Sequence, residues 1–442
     1  MSRGSLRRLA YFAFALNALI IMGVFWHIAG AEAFRSWGNF LIAAGNICGL
    51  LGAYTILVQL VLVVRVPLLE KGFGMEALTK LHRKNGELSF SLILVHPFLL
   101  VFGYNLIYHS HFWAQFVSFV TDFPDVANAL IGTVMLCLVV YLSITIARKK
   151  LKYEAWYLVH LSTYLTIILT FSHQLSSGPD FIGHPWFQFY WYLLYGITAM
   201  MVIMYRIGQP LWLSWQHRFV VDRIVQETPD TYSIYVSGRN IPAFQFEPGQ
   251  FAIWRFLGNN LGWQAHPFSF SQEPGLPYLR LTFKGVGDFT RILHKLPVGT
   301  PIILDGPHGD FVAEPEPKKV AFVAGGSGIT PLRSMLPQLL AQGADVVLLY
   351  AARSRADLVL ADELEALRAR YGFAALYAFS TEAHPSGIKG YLDEGIFRQY
   401  VPDIASRQVF LCCPAPMMKA VRGALTAVGL PENQLHSEVF SF

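Results

Sequence analysis

Four histidines sit in stretches too apolar to carry them without a reason. His82 and His96 frame the run "HRKNGELSFSLILVHP", fourteen residues apart, and His160 and His173 lie in "AWYLVHLSTYLTIILTFSHQL", thirteen apart. An ionisable side chain at membrane depth is costly, so each needs a partner or a function. A neutral imidazole offers one nitrogen lone pair to a metal while its other nitrogen carries a proton. Two imidazoles at one depth on two helices can hold an iron porphyrin from both sides, as a centre that cycles between Fe(III) and Fe(II). A rise of about 1.5 Å per residue separates the two pairs by roughly 20 Å, so two such centres would form an electron path across a bilayer. The competing reading is four histidines satisfied by helix–helix hydrogen bonds; matched depths on two helices favour the metal. One point does not close. At about 100° per residue, fourteen steps return almost to the same face and thirteen do not. A kink or π-bulge in the later segment would restore the phase, as would two porphyrins approaching from different sides.

A second group of chemically suggestive residues lies after position 215. "VAFVAGGSGITPLRSML" (320–336) reads as a buried strand running into Gly325, Gly326 and Gly328, with Thr330 as helix N-cap and Pro331 at the first helical position. Such glycines admit a pyrophosphate, which the helix amides and dipole then hold. After the next strand, "YAARSRAD" presents Arg353, Ser354 and Arg355 where an acid would suit NADH; arginine there suits the 2′-phosphate of NADPH. "FKGVGDFTRILHKL" (283–296) reads as a strand, a glycine turn and a helix start, with Lys284 adding charge and Thr290 bonding first-turn amides. "AHPFSFSQEP" (265–274) places an aromatic and small hydroxyls on an extended strand.

The elements that must position these residues are of two kinds. The 442-residue chain is 54% hydrophobic and 14% charged, with mean hydropathy +0.40, where a soluble protein carries about 25% charged residues. The apolar excess is confined to the first half. Six runs there are long enough for a bilayer core: about 9–29, 40–64, 87–108, 127–147, 153–173 and 187–207. The first, preceded by Arg3, Arg7 and Arg8, lacks a convincing cleavage site and reads as a span that stays in place. Lys and Arg crowd alternate connections, at Arg65 to Lys84, at Arg148, Lys149, Lys150 and Lys152, and at Arg206, whereas the opposite loops hold only Arg35. That asymmetry puts both termini in the cytoplasm of a cell (inner) membrane protein. The net charge of +5 belongs to these connections and does not point to nucleic acid. None of the four cysteines forms a C-x-x-C pair, which argues against an iron–sulfur cluster, structural zinc or a disulfide framework. Residues 215–312 alternate like a small antiparallel β-barrel, and 318–442 alternate strand and helix like a doubly wound parallel sheet. The expected domains are 1–210 (six-helix transmembrane bundle), 215–313 (barrel) and 317–442 (α/β nucleotide-binding).

Taken in order, the histidine quartet, H-P-F-S, G-P-x-G and G-G-x-G-x-T-P resemble the NADPH oxidase and ferric reductase superfamily, in its prokaryotic NADPH oxidase-like form, over nearly the whole chain. The resemblance implies two b haems on the third and fifth spans, followed by a ferredoxin-NADP reductase-like module for FAD and NADPH. It assigns His266, Pro267, Phe268 and Ser269 to the flavin, with Ser269 at the isoalloxazine edge. It assigns Gly287, Asp288, Phe289 and Thr290 to the FAD pyrophosphate, and Cys412 to the nicotinamide. Cys413 replaces the glycine usual after that cysteine. "HSEVF" (436–440) matches the C-terminal segment, so that Glu438 lies near flavin N5 and Phe440 stacks on the flavin, a role open equally to Phe442. The implied activity is electron transfer from cytoplasmic NADPH to an outer acceptor. Dioxygen, giving superoxide, is the leading expectation; a ferric chelate and a periplasmic partner protein are the others. Without an EF-hand or SH3-binding segment, no obligatory regulatory subunit is expected.

Overall fold

The computed structural model describes residues 2–146, 153–313, 318–385 and 387–440. Arg148, Lys149, Lys150 and Lys152 lie outside the described residues, as do Phe442 and the side chain of Phe440. The chain divides into two compact units, Met1–Ile207 and Gly208–Phe442.

In the first unit and its exit, six helices among the described residues are long and apolar enough to cross a membrane: Arg3–Ala29, Trp37–Val63, Met75–Tyr108, Val126–Ile144, Ala155–Ser177 and Pro185–His217. The third starts at Met75 rather than near residue 87. Gly74, at φ 76°, ends the short helix Pro67–Phe73, and the good helix formers after it start a new one at once. His82 is thus roughly two turns inside a helix, not at its beginning. The sixth continues to His217, past the predicted end at 207, through a π-helical stretch at Ile203–Gly208. A second π-helical stretch, Leu142–Ile146, ends the fourth span.

The fifth span is interrupted. Helices Tyr153–Leu161 and Thr163–Ser177 meet at a turn on Ser162. The Ser162 hydroxyl donates to the Val159 carbonyl (2.7 Å) and the Thr163 hydroxyl to the His160 carbonyl (2.7 Å), back-bonds of the kind that bend helices. The break lies between His160 and His173, which are therefore not tied to one helical phase.

The second and third spans pack most intimately. Added side-chain carbon at Gly38, Gly45, Gly49 or Gly52 would meet Ile107, Leu100, His96 or Ile93 of the third span at 2.6–3.0 Å. Small residues on one helix face let two backbones approach in this way without a hydrophobic driving force from lipid.

The second unit begins with two three-stranded antiparallel sheets. Strands β1 (Val220–Thr228), β2 (Thr231–Ser237), β3 (Phe251–Phe256), β4 (His266–Ser269), β5 (Leu279–Lys284) and β6 (Ile302–His308) are ordered β1-β2-β5 and β4-β3-β6. Bridges Val220–Pro301 and Phe270–Leu281 join the sheets. Trp254, Phe256, Phe270, Ile234 and Leu281 fill the interior. Strands β7 (Lys319–Gly325), β8 (Asp345–Ala352), β9 (Ala374–Phe379), β10 (Gly387–Lys389), β11 (Gln408–Pro414) and β12 (Leu435–Phe440) form one parallel sheet, ordered β10-β9-β8-β7-β11-β12. Both faces are covered, as parallel sheets require: Val320, Phe322 and Ala324 of β7 enter one core, Ala321 and Val323 the other.

Candidate functional site

In the first unit the structure brings His82 and His160 together edge-on, with ring centroids 6.2 Å apart and planes inclined at 65°. His96 and His173, at the other level, lie within electrostatic reach of each other. Nδ1 of His82 bonds the Gln59 carbonyl at 3.1 Å, and Nδ1 of His96 bonds the Gly45 carbonyl at 2.8 Å. A carbonyl only accepts, so both Nδ1 atoms carry the proton and both Nε2 atoms present lone pairs. Asn85 braces this arrangement, donating to the Thr55 carbonyl and to Oε1 of Gln59, each at 2.8 Å. Nδ1 of His160 and of His173 is buried without a hydrogen-bond partner. Trp156 stacks on His160 at 5.3 Å.

The spacing of His82 and His160 is compatible with an iron porphyrin between them. With metal–imidazole bonds of about 2 Å and roughly 1 Å from each nitrogen to its ring centre, two trans imidazoles have centroids about 6 Å apart. The His82–His160 separation meets that requirement, and rotation about the ligand axis leaves the twist of the planes free. The third-span pair does make helix–helix hydrogen bonds, to carbonyls of the second span, but these use Nδ1 alone and leave each Nε2 lone pair for another partner. Neither Gln59 nor Gly45 was foreseeable as a partner, because a backbone carbonyl has no signature in the sequence. The repeated glycines of the second span were the available signal.

In the second unit the two segments expected at the flavin meet. His266 of β4 stacks on Phe289 at 3.9 Å and bonds Oε1 of Gln264 at 3.1 Å through Nε2. Phe268 packs half-buried beside Phe283 and Phe289, Pro267 is exposed, and Ser269 is buried. Gly287 and Asp288 are exposed. The helix that follows is a single turn, Thr290–Leu293, and the Thr290 hydroxyl turns back to Gly287, accepting from its amide (2.9 Å) instead of bonding first-turn amides. Backward bonding is favoured here because the glycine turn brings the Gly287 backbone onto the hydroxyl. Lys284 pairs with Asp230 at 3.0 Å, and the same carboxylate lies 3.5 Å from Arg353. Asp230 thus joins two expected phosphate-binding cations, a link that sequence spacing did not reveal.

The strand order reverses between β7 and β11, and the crevice at the carboxyl ends of strands beside such a reversal is where open α/β sheets bind ligands. Gly325 to Gly328 lie there. The helix after β7 starts at Ile329, with Gly328 as N-cap, so Thr330 and Pro331 are buried second and third helical residues rather than cap and first residue. The cause is a 3₁₀ turn at Gly326–Gly328 that runs straight into the helix, and the Thr330 hydroxyl closes it by donating to the Ser327 carbonyl (2.9 Å). The glycines also divide their work. Gly328 presses on the Cys412 carbonyl and Gly325 on Cys413, Pro414 and Met417, whereas Gly326, at φ 54°, faces open space. Only Gly326 is free to admit a ligand.

Cys412 is fully buried in β11, in register with Glu438 of β12. Burial, and then the Glu438 charge, push its thiol well above the usual range; Cys413 is pushed up to about 12 by burial. Glu438 Oε2 is shut off from solvent with no partner, and burial followed by the Asp310 charge raises this carboxyl to about 7. The Phe440 backbone pairs beside Pro414. At the end of β8, Arg353 is 61% exposed and reaches Asp357 at 2.7 Å. Ser354 is the N-cap of a 3₁₀ turn, its hydroxyl on Asp357 at 2.7 Å, and the Arg355 amide donates to Glu382.

Comparison with known proteins agrees with this division. Residues 48–171 match the family described as ferric reductase like transmembrane component, and residues 322–423 match the oxidoreductase NAD-binding domain. The glycine betaine monooxygenase reductase subunit of Chromohalobacter salexigens is 31% identical over 243 residues, covering 52% of this chain and 65% of that protein. The ferredoxin reductase component of 3-ketosteroid-9-alpha-monooxygenase from Mycolicibacterium smegmatis is 30% identical, covering 50% and 64%. The chain spans just under two thirds of the length of these relatives. Among solved structures, the flavohem-like FAD/NAD binding domain of nitric oxide dioxygenase from Vibrio cholerae is similar at 24% identity, with TM-score 0.47 and coverage of 50% of this chain and 97% of that one. The chain thus joins a region like the ferric reductase transmembrane component, set among helices long and apolar enough to cross a membrane, to a region like the oxidoreductase NAD-binding domain, a combination consistent with the NADPH oxidase and ferric reductase superfamily.

Proposed function

We propose that the protein moves electrons from cytoplasmic NADPH across the membrane to dioxygen, releasing superoxide on the outer side. The observation that carries this reading is the His82–His160 pair, held 6.2 Å apart inside helices long enough to span a bilayer. In this reading FAD supplies the change from a hydride to single electrons, and two b haems supply one-electron carriers between the membrane faces. His82 and His160 hold the inner haem, and His96 and His173 the outer. Trp156 shields His160 from lipid and water.

His266, Pro267, Phe268, Ser269, Lys284, Gly287, Asp288, Phe289 and Thr290 hold the flavin, with the His266–Phe289 stack fixing the edge of its pocket. Gly326 admits the dinucleotide pyrophosphate, while Gly325, Gly328, Thr330 and Pro331 hold the turn in shape. Cys412 and Glu438, in register across two strands, border the nicotinamide. Phe440 or Phe442 covers the flavin until nicotinamide arrives. The asymmetry of the basic connections supports cytoplasmic termini, and no regulatory subunit is required.

Arg353 selects NADPH through the 2′-phosphate, with Ser354 and Arg355 shaping the loop. Arg353→Ala raises the KM for NADPH about tenfold, the worth of one charge-assisted hydrogen bond, and leaves that for NADH within a factor of two. Steady-state kinetics with both nucleotides read this directly; equal losses would place Arg353 elsewhere.

The acceptor is tested by cytochrome c reduction with purified protein and NADPH. Superoxide predicts that superoxide dismutase abolishes the signal; reduction that persists sinks dioxygen as the acceptor and leaves a ferric chelate. A second reading is electron delivery to a protein on the outer side. It is favoured by the names of two relatives, both reductase components of monooxygenases. Turnover that appears only on adding such a partner would support it.

A further inference from the structure

The second span contains no histidine, yet it touches both histidines of the third. Its contact carbonyls, Gly45 and Gln59, are fourteen residues apart, the spacing of His82 and His96 on the antiparallel neighbour. Between them Gly49 lies against the His96 ring, where a methyl group would stand 2.8 Å from both Cε1 and Nδ1. Contacts that short force one partner to move, and the partner here is the imidazole.

We infer that the second span tunes both metal sites, and that Gly49 is the positioning residue that seats the His96 ring on its carbonyl acceptor. The inference rests on the reading of the four histidines as iron ligands. A hydrogen bond from Nδ1–H to a carbonyl fixes the tautomer, orients the ring and makes the opposite nitrogen a stronger donor. Nδ1 of His160 has no such acceptor, and Nδ1 of His173 has only the Thr170 carbonyl of its own helix nearby, without a full hydrogen bond. Each site therefore pairs one imidazole anchored on the second span with one from the fifth that has no acceptor on a neighbouring helix. The stronger donor stabilises Fe(III) over Fe(II), so the second span sets the potential of each site through backbone atoms that carry no charge. Gly49 acts on the His96 site alone; no glycine of the second span lies against His82.

The test is a potentiometric titration of the full-length, haem-loaded protein followed at the b-type absorbance. The component missing from His96→Leu identifies the outer site. In Gly49→Ala that component moves to a higher midpoint potential, because the displaced ring leaves its carbonyl and donates less, and the other component stays in place. Gly52→Ala is the packing control: its methyl would meet Ile93 at 3.0 Å on the same interface, and both potentials remain as in the wild type. Selective loss of the outer component in Gly49→Ala, with Gly52→Ala intact, also supports the inference. An unshifted outer potential in Gly49→Ala, or equal changes in the two variants, overturns it. Wild-type protein without b-type haem overturns the ligand reading itself, an outcome distinct from failure of the tuning.

Discussion

Replacing His96 by leucine removes one of two b-type haem signals from the dithionite-reduced spectrum and lowers NADPH-driven reduction at the outer face by at least about 100-fold, since loss of a mere second-shell partner already costs up to that much. The ligand is irreplaceable locally. Its neighbours in the third span are apolar, and the bond from Nδ1 to Gly45 fixes the ring so that Nε2 is the nitrogen left for a ligand bond. In the proposed reading, the half of the molecule that takes electrons from the nucleotide is the separate compact unit Gly208–Phe442. NADPH-driven reduction of a soluble dye by the flavin therefore continues at the wild-type rate. His82→Leu loses the other haem component with the same preservation of dye reduction. Spectra that retain both components in either variant, with FAD content unchanged, would remove these residues from the ligand set.

The second large effect is on stability. Arg280 of β5 is 1% exposed and pairs with Glu363, which also accepts from Arg333 Nε at 2.7 Å. The Arg280 guanidinium further reaches Tyr235 and Ser271. Burial alone would raise the Glu363 carboxyl, but its bonds and charges from Arg280 and then Arg333 outweigh this and hold it below the usual range. Glu363→Ala leaves two buried guanidinium groups without their shared counter-charge. Breaking a buried pair costs roughly 3–5 kcal/mol, and the partial exposure of Glu363 argues for the lower end, about 3 kcal/mol. For a unit of this size that is a fall in Tm of roughly 10 °C. Thermal unfolding of the second unit in the purified full chain, followed by release of flavin fluorescence, measures it. Arg280→Met and Arg333→Met combined with Glu363→Leu recover much of the loss, because both cations are then removed together with their shared partner. A Glu363→Ala transition within 2 °C of the wild type would show the cluster to be energetically idle.

Side-chain chemistry at fixed spacing was legible in the sequence. The four histidines, the apolar runs around them and the alternation of strand and helix after residue 318 all rest on periodicities that a linear pattern preserves. The thirteen-residue interval between His160 and His173 was legible too as a conflict with a straight helix, which left open a kink, a π-bulge or porphyrins approaching from different sides; the turn at Ser162 is a break of the first kind. Three things were not legible. The cap was misplaced at Thr330 because a 3₁₀ turn uses the same glycines that mark a longer loop, so the helix begins two residues sooner than the Thr-Pro signal implies. The Arg280–Glu363 contact joins residues 83 positions apart and depends on how barrel and nucleotide sheet meet. The Asp230 link between Lys284 and Arg353 is of the same kind. Such contacts exist only after the fold has formed.

The matched intervals on the second and third spans have a consequence for descent. Removing or adding one residue between Gly45 and Gln59 would rotate one carbonyl by about 100° around its helix axis and carry it out of reach of its imidazole. An equal change between His82 and His96 would do the same from the other side. Insertions and deletions in these two stretches are therefore acceptable only as compensated pairs. Side chains away from these histidines and glycines can be exchanged, but the two intervals must be inherited together.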